Sequence, residues 1–162
     1  MALICMFKKV RVFLLPLVLF AISTASSTVW AAGSSGKYLG VVDIENVSGL
    51  KGVQAVARMT LPGAGGDLNF ATKNKNMLLM VQITDMRNFA EFKKAYFQKE
   101  VKGVGEEAFQ GTVVPGAPPS FLAFRKGNTC FTLTGFQDYT TQKNLLTIDQ
   151  ITALGKLIAS RH

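Results

Sequence analysis

Phe121-Leu122-Ala123-Phe124-Arg125-Lys126-Gly127-Asn128-Thr129-Cys130-Phe131-Thr132-Leu133-Thr134-Gly135-Phe136 is the stretch that decides the fold. Phe121 to Phe124 and Thr129 to Phe136 are rich in strand-forming residues. They flank the polar turn Arg125-Lys126-Gly127-Asn128, and so predict a β-hairpin. Strands joined by hairpins run antiparallel. Upstream, Glu106 to Gly111 reads as a short strand around Ala108 and Phe109, and Val113 to Pro119, with three prolines and a glycine, must be a loop.

Further upstream, Met77 to Ile83 is almost wholly apolar, which places it at the sheet centre with both faces covered or nearly so. Leu68 and Phe70 alternate in a strand over 67–71, between a turn at Pro62 to Gly66 and a polar turn at Lys73 to Asn76. Val53 to Met59 reads as another strand. A helix begins near Asn88, where Asn88 and Glu91 make a capping-box pattern, and its apolar stripe is Phe89, Phe92 and Tyr96 or Phe97. A short helix is expected after Lys37, capped by Asp43, with Ile44 and Val47 inward and Gly49 as its stop.

The closing helix has the best-specified start. Thr147 and Gln150 form a capping box, Leu146 and Ile151 a hydrophobic staple, and Ile148, Ile151, Leu154, Leu157 and Ile158 an apolar stripe. The expected fold class is therefore α+β: an antiparallel sheet of about six strands, two main amphipathic helices on one face, and a short N-terminal helix. The order α-β-β-β-α then β-β-β-α hints at an internal pseudo-repeat.

The N-terminus carries an address. Lys8, Lys9 and Arg11 precede an uncharged apolar run from Val12 to Ile22, and small residues follow up to Val29-Trp30-Ala31. That order predicts a secretory signal over 1–31, cleaved after Ala31, a flexible lead-in over 32–37, and a single domain over 38–162. The apolar run is about half the roughly 20 residues a membrane span needs, so no stable span is expected after cleavage. Cys5 lies before the run, where lipidation would not use it.

Cleavage leaves fifteen Lys plus Arg against ten Asp plus Glu, a net charge of +5 instead of +8. The remaining cations are dispersed, and the aromatics sit at core-like positions, so nucleic acid is not an expected partner. Cys130 becomes the only cysteine and His162 is the only histidine. Ser/His and Cys/His catalysis, and a zinc site, thus lack their ligands and bases. Gly63-Ala64-Gly65-Gly66 has no phosphate-loop lysine. No catalytic, cofactor or metal residues are assigned.

Two carboxylates, Glu106 and Glu107, follow Gly103-Val104-Gly105. As strand neighbours they should point to opposite faces and not act as a pair. Several stretches resemble small exported bacterial proteins of unknown function: Asp43 to Ala71, Val101 to Phe109 (V-x-G-V-G-[DE]-E-A-F), Phe124-Arg125-Lys126-Gly127-Asn128, and the terminus Ile158-Ala159-Ser160-Arg161. More distantly the layout resembles the PsbP-like sandwich. The resemblance implies an exported sandwich domain with no assigned substrate.

The function expected is a non-catalytic periplasmic or secreted accessory module that binds a protein or small-molecule partner. Its contact surface would be the loop from Val113 to Ser120, with Pro115, Pro118 and Pro119, and the hairpin tip Arg125, Lys126, Gly127 and Asn128, because loops on a rigid scaffold usually carry binding. One alternative is a carboxylate hydrolase using Glu106 with Asp138 or Asp85. Another is a carrier of a small apolar ligand, resting on Met77, Leu79, Met80 and the phenylalanines.

Overall fold

A computed structural model describes residues 35–56, 67–85, 89–114, 116–138 and 140–162. The deciding hairpin is β6 (Phe121–Lys126) and β7 (Thr129–Gly135), paired from Phe121 opposite Thr134 to Lys126 opposite Thr129. Gly127 holds φ +57° at the first position of the two-residue turn, the place where a type II′ turn takes glycine. On the other side of β6 lie β5 (Glu107–Gly111) and then β4 (Phe97–Glu100); on the other side of β7 lie β3 (Met77–Asp85), β2 (Asp67–Ala71) and β1 (Gln54–Val56). The sheet runs β1-β2-β3-β7-β6-β5-β4, antiparallel throughout.

The sheet has seven strands, not six, and the added one is β4. The helix α3 (Phe89–Tyr96) stops at Tyr96, and Phe97 already belongs to β4. Phe97 therefore leaves the expected helical stripe. As an edge strand β4 is four residues long, bears Lys99 and contains a register irregularity between Phe97 and Lys99. These are the features that blunt edge-to-edge association.

Two cores lie on opposite faces. Alternation along β6 sends Leu122 and Phe124 one way and Phe121 and Ala123 the other, and all four are buried. Leu122 and Phe124 join Leu68, Phe70, Leu79, Val81, Phe131 and Leu133 under α4 (Ile148–Arg161). Phe121 and Ala123 join Phe109, Cys130 and Phe89 of α3, with Phe92 and Tyr96 packed against them. The expectation that both helices share one face is corrected: α3 and α4 sandwich the sheet. The pseudo-repeat goes with it. A two-fold axis relating the antiparallel neighbours β3 and β7 runs normal to the sheet and would keep both helices on one side.

The ring contacts of α3 with the sheet run from Phe89, Phe92 and Tyr96 to Phe109 of β5 and Phe121 of β6. Farther along the same face, Met80 and Gln82 of β3 are only half-buried, opposite Thr134 and Thr132. So β3 is covered on its α4 face and partly open on the other. The hydrophobic stretch at Met77 to Ile83 did not by itself reveal that asymmetry.

Helix α4 starts as expected. Thr147 Oγ1 accepts from Gln150 N–H at 3.2 Å, Thr147 N–H donates to Gln150 Oε1 at 2.9 Å, and Leu146 and Ile151 are buried. Gly155 lets α4 approach β6: a Cβ there would lie 2.3 Å from Leu122 Cδ2. Helix α2 (Val41–Ser48) begins one turn earlier than expected, at Gly40. Asp43 is inside its first turn, accepting from the Gly40 N–H at 2.8 Å, while Gly49 ends the helix at φ +74°. Residues 35–38 form a helical turn, α1 (Ser35–Tyr38), ahead of it. The expected Asn88 cap, the Pro62 to Gly66 turn, the strand end after Val56, and the N-terminal signal lie outside the described residues.

Asp43 also clasps the ends of the domain together. Arg161 Nη1 and Nη2 donate to its two oxygens at 2.7 and 2.8 Å, and Arg161 Nη1 donates to the Tyr38 carbonyl at 3.1 Å. The guanidinium holds the Asp43 carboxyl below its ordinary 3.8, against an opposing push from burial and with help from the Gly40 N–H. A depressed folded pKa contributes stability above the unfolded value, lost as pH falls through the folded one. Asp43→Asn is thus expected to cost up to about 1 kcal/mol at pH 7, as a partly exposed pair should. The gap between variant and parent should close below about pH 4, as read by urea unfolding at each pH. A gap independent of pH would break the link to this carboxylate.

Candidate functional site

Gly103 (φ +75°) and Gly105 (φ +59°) turn the chain around the buried Val104 and deliver it to β5. Glu106 precedes the strand, its N–H donating to the Arg125 carbonyl at 2.9 Å, and β5 starts at Glu107. Strand alternation therefore does not govern the pair, and the expectation that the two carboxylates diverge is corrected. Both reach Arg125: Nη1 donates to Glu106 Oε2 and Nε to Glu107 Oε2, each at 3.0 Å. Glu107 Oε1 accepts from Lys93 Nζ at 2.6 Å, and Glu106 Oε1 from the Gly127 N–H at 2.9 Å.

All four carboxylate oxygens thus have donors. Lys93 first, then Arg125, hold the Glu107 carboxyl below its ordinary 4.5, with burial opposing. A general acid needs the opposite shift. Asp138 lies beyond the far end of β7, its Oδ1 accepting from the Thr140 and Thr141 N–H groups and the Thr141 hydroxyl. At about 3.3 Å per residue, the length of β7 separates it from Arg125 by some 20 Å. Asp85 ends β3 opposite Thr129; its side chain is outside the described residues. The geometry does not bring Glu106 and Asp138 together.

The hairpin tip is tied inward. Arg125 serves both glutamates, Lys126 Nζ donates to the Ala159 carbonyl near the end of α4, and the Gly127 N–H serves Glu106. Asn128 is exposed. The proline loop lies at the other end of β6, roughly 16–20 Å away by the same strand rise. The two halves of the expected contact surface do not meet.

The loop is pinned and apolar. Val114 N–H donates to Thr112 Oγ1 at 3.2 Å, Ala117 N–H to the Val114 carbonyl at 3.1 Å, Ser120 N–H to the Gly111 carbonyl at 2.9 Å, and Gln98 Nε2 to the Ala117 carbonyl at 3.1 Å. Gly116 takes φ +79°, as the third residue of a type II turn does. Pro118 is exposed and Pro119 half-buried; Pro115 is outside the described residues. Val113 is 66% exposed and Val114 57%. Phe97, 48% exposed, faces Gly111 across the ladder. Three of the four large apolar residues exposed among the described residues therefore gather at this corner. The loop expected as a contact surface, Val113 to Ser120, contains both valines, though the sequence did not single them out, and Phe97 was expected in the α3 stripe; the signal was two β-branched residues directly ahead of Pro-Gly.

A second feature adjoins it. An open depression of about 450 Å³ is lined by Phe89, Ala90, Lys93, Lys94, Phe97 and Glu107. None of Met77, Leu79 and Met80 lines it, and Leu79 is buried in the α4-side core. Among the described residues no three His, Cys, Asp or Glu side chains group as metal ligands, and no helix is long and apolar enough to cross a membrane. Comparison with protein-family models, curated proteins and solved structures found no match.

Proposed function

We propose that this chain is a non-catalytic, exported accessory module, periplasmic or secreted, that binds a protein partner through the 112–120 loop. The observation that carries the reading is a hydrogen-bonded loop that keeps Val113 and Val114 exposed. Four hydrogen bonds hold a loop whose two valines face water. A rigid apolar projection loses little conformational freedom on binding and gains by burial. The sheet layered between helices supports the PsbP-like part of the resemblance, and the order of charged, apolar and small residues at the N-terminus supports export.

The test is comparative capture from periplasmic extract. The parent should retain a partner that a Val113→Ser/Val114→Ser variant loses, while Asn128→Ala retains it. Covering both valines is worth about 2 kcal/mol, so roughly a thirtyfold loss of affinity is expected. Equal retention by both variants would remove the loop from the interface. N-terminal sequencing of the exported protein should begin at Ala32; a retained Met1 would sink the cleavage reading.

A further inference from the structure

The depression between α3 and β4 has a chemistry of its own. Its apolar floor is Phe89, nearly buried, and Phe97, half in water. Lys93 spans the two kinds of surface, with Nζ 5.6 Å from the Phe97 ring centre and 2.6 Å from Glu107 Oε1. In the attached network Lys93 and Arg125 are engaged by Glu106 and Glu107. Lys94 is left over. It is exposed on the rim and makes no ion pair among the described residues.

An aromatic floor with one uncompensated cation at its edge is complementary to one ligand class. We propose that this depression binds a small amphiphilic monoanion, its flat apolar body on Phe89 and Phe97 and its carboxylate or sulfonate at Lys94. The volume, about 450 Å³, lies within the usual range for small-molecule sites and suits a body of naphthalene size. Because Glu107 already holds two donors, it does not compete for Lys94, and it repels a second anionic group on the ligand. A dianion or a cation is therefore disfavoured. The site adjoins the 112–120 loop through Phe97 but is lined by neither valine, so the Val113→Ser/Val114→Ser and Lys94→Glu variants let either reading fail alone.

The experiment is a titration of the purified ¹⁵N-labelled protein with 2-naphthoate, with 2-naphthylmethanol and 2-naphthylmethylamine as neutral and cationic counterparts. Naphthoate should shift the amides of Ala90, Lys93, Lys94 and Phe97, with an affinity that falls as salt rises. Lys94→Glu should weaken it about tenfold, and Phe97→Ser should abolish it with the unfolding midpoint unchanged. The neutral and cationic probes should bind less tightly than naphthoate. Equal binding of all three probes, shifts centred elsewhere, or no shifts at millimolar naphthoate would each overturn the assignment. So would a response at Lys94 to phosphatidylglycerol vesicles but not to naphthoate, which would make the surface a membrane contact.

Discussion

Gly105→Ala is expected to destabilise the domain by about 3 kcal/mol or more. Two costs add. At φ +59° an L side chain is strained by about 1–2 kcal/mol. The new Cβ would also lie 2.4 Å from the Arg125 carbonyl oxygen and 3.0 Å from Phe124 Cδ2. That carbonyl already accepts the Glu106 N–H, so it cannot retreat without loosening a hydrogen bond, and overpacking of this kind costs about 1–3 kcal/mol. Gly103 supplies the control. It shares the positive φ, at +75°, but a Cβ there meets nothing within 4 Å. Gly103→Ala should therefore show only the conformational cost. Urea midpoints at unchanged m-value separate the two; equal losses would mean that the close approach of Gly105 to β6 does not matter.

Phe124→Ala should cost about 3–5 kcal/mol, the usual penalty for emptying a large aromatic site. The ring is fully buried and stacks on Phe131 at a centroid distance of 4.9 Å and an angle of 15°. It lies within contact distance of a Cβ at Gly105 and at Gly155. The neighbours that would have to collapse are therefore a tight turn and a helix already in close approach, so the cavity should persist. Against a typical stability of about 5–15 kcal/mol, the variant sits near the edge of folding, and thermal unfolding read by circular dichroism should show it. Phe97→Ala, at an exposed site, should stay within about 0.5 kcal/mol of the parent. If the two aromatic truncations cost the same, the core assignment fails.

The reach of sequence reading differed from element to element. Helix α4 was legible because Thr147, Gln150, Leu146 and Ile151 announce a helix start by local chemistry alone, and the β6–β7 hairpin because a polar glycine turn interrupts two apolar runs. Strand β4 was hidden. Lys93-Lys94-Ala95-Tyr96-Phe97-Gln98 contains no glycine, proline or capping residue, so its helical pattern runs on; pairing with β5 is what makes Phe97 to Glu100 extended. The face chosen by α3 was hidden for a different reason. Phe121-Leu122-Ala123-Phe124 is apolar at every position, so both sides of β6 want cover and composition cannot say which helix supplies which.

The site was half legible. Glu106, Glu107 and Arg125 were each singled out, but their convergence depends on the β5–β6 register and on the turn at Gly105, which are tertiary facts. Val113 and Val114 lay inside the loop expected to make contacts, but only their exposure singles them out, and Phe97 read as part of a helical stripe.

The seam of the sheet has a consequence for how the chain gets there. Strands β1 to β3 form one local meander and β4 to β7 another, and only the β3–β7 ladder joins them, between residues roughly fifty apart in sequence. Closing that loop spends chain entropy before it gains any contact. Until it closes, each half-sheet ends in its longest strand, with a bare ladder edge and neither the lysine nor the shortness that blunts β4. The protected edges of the finished protein and the vulnerable edges of the nascent one are therefore different strands, and the hazard of self-association is greatest before β3 and β7 meet.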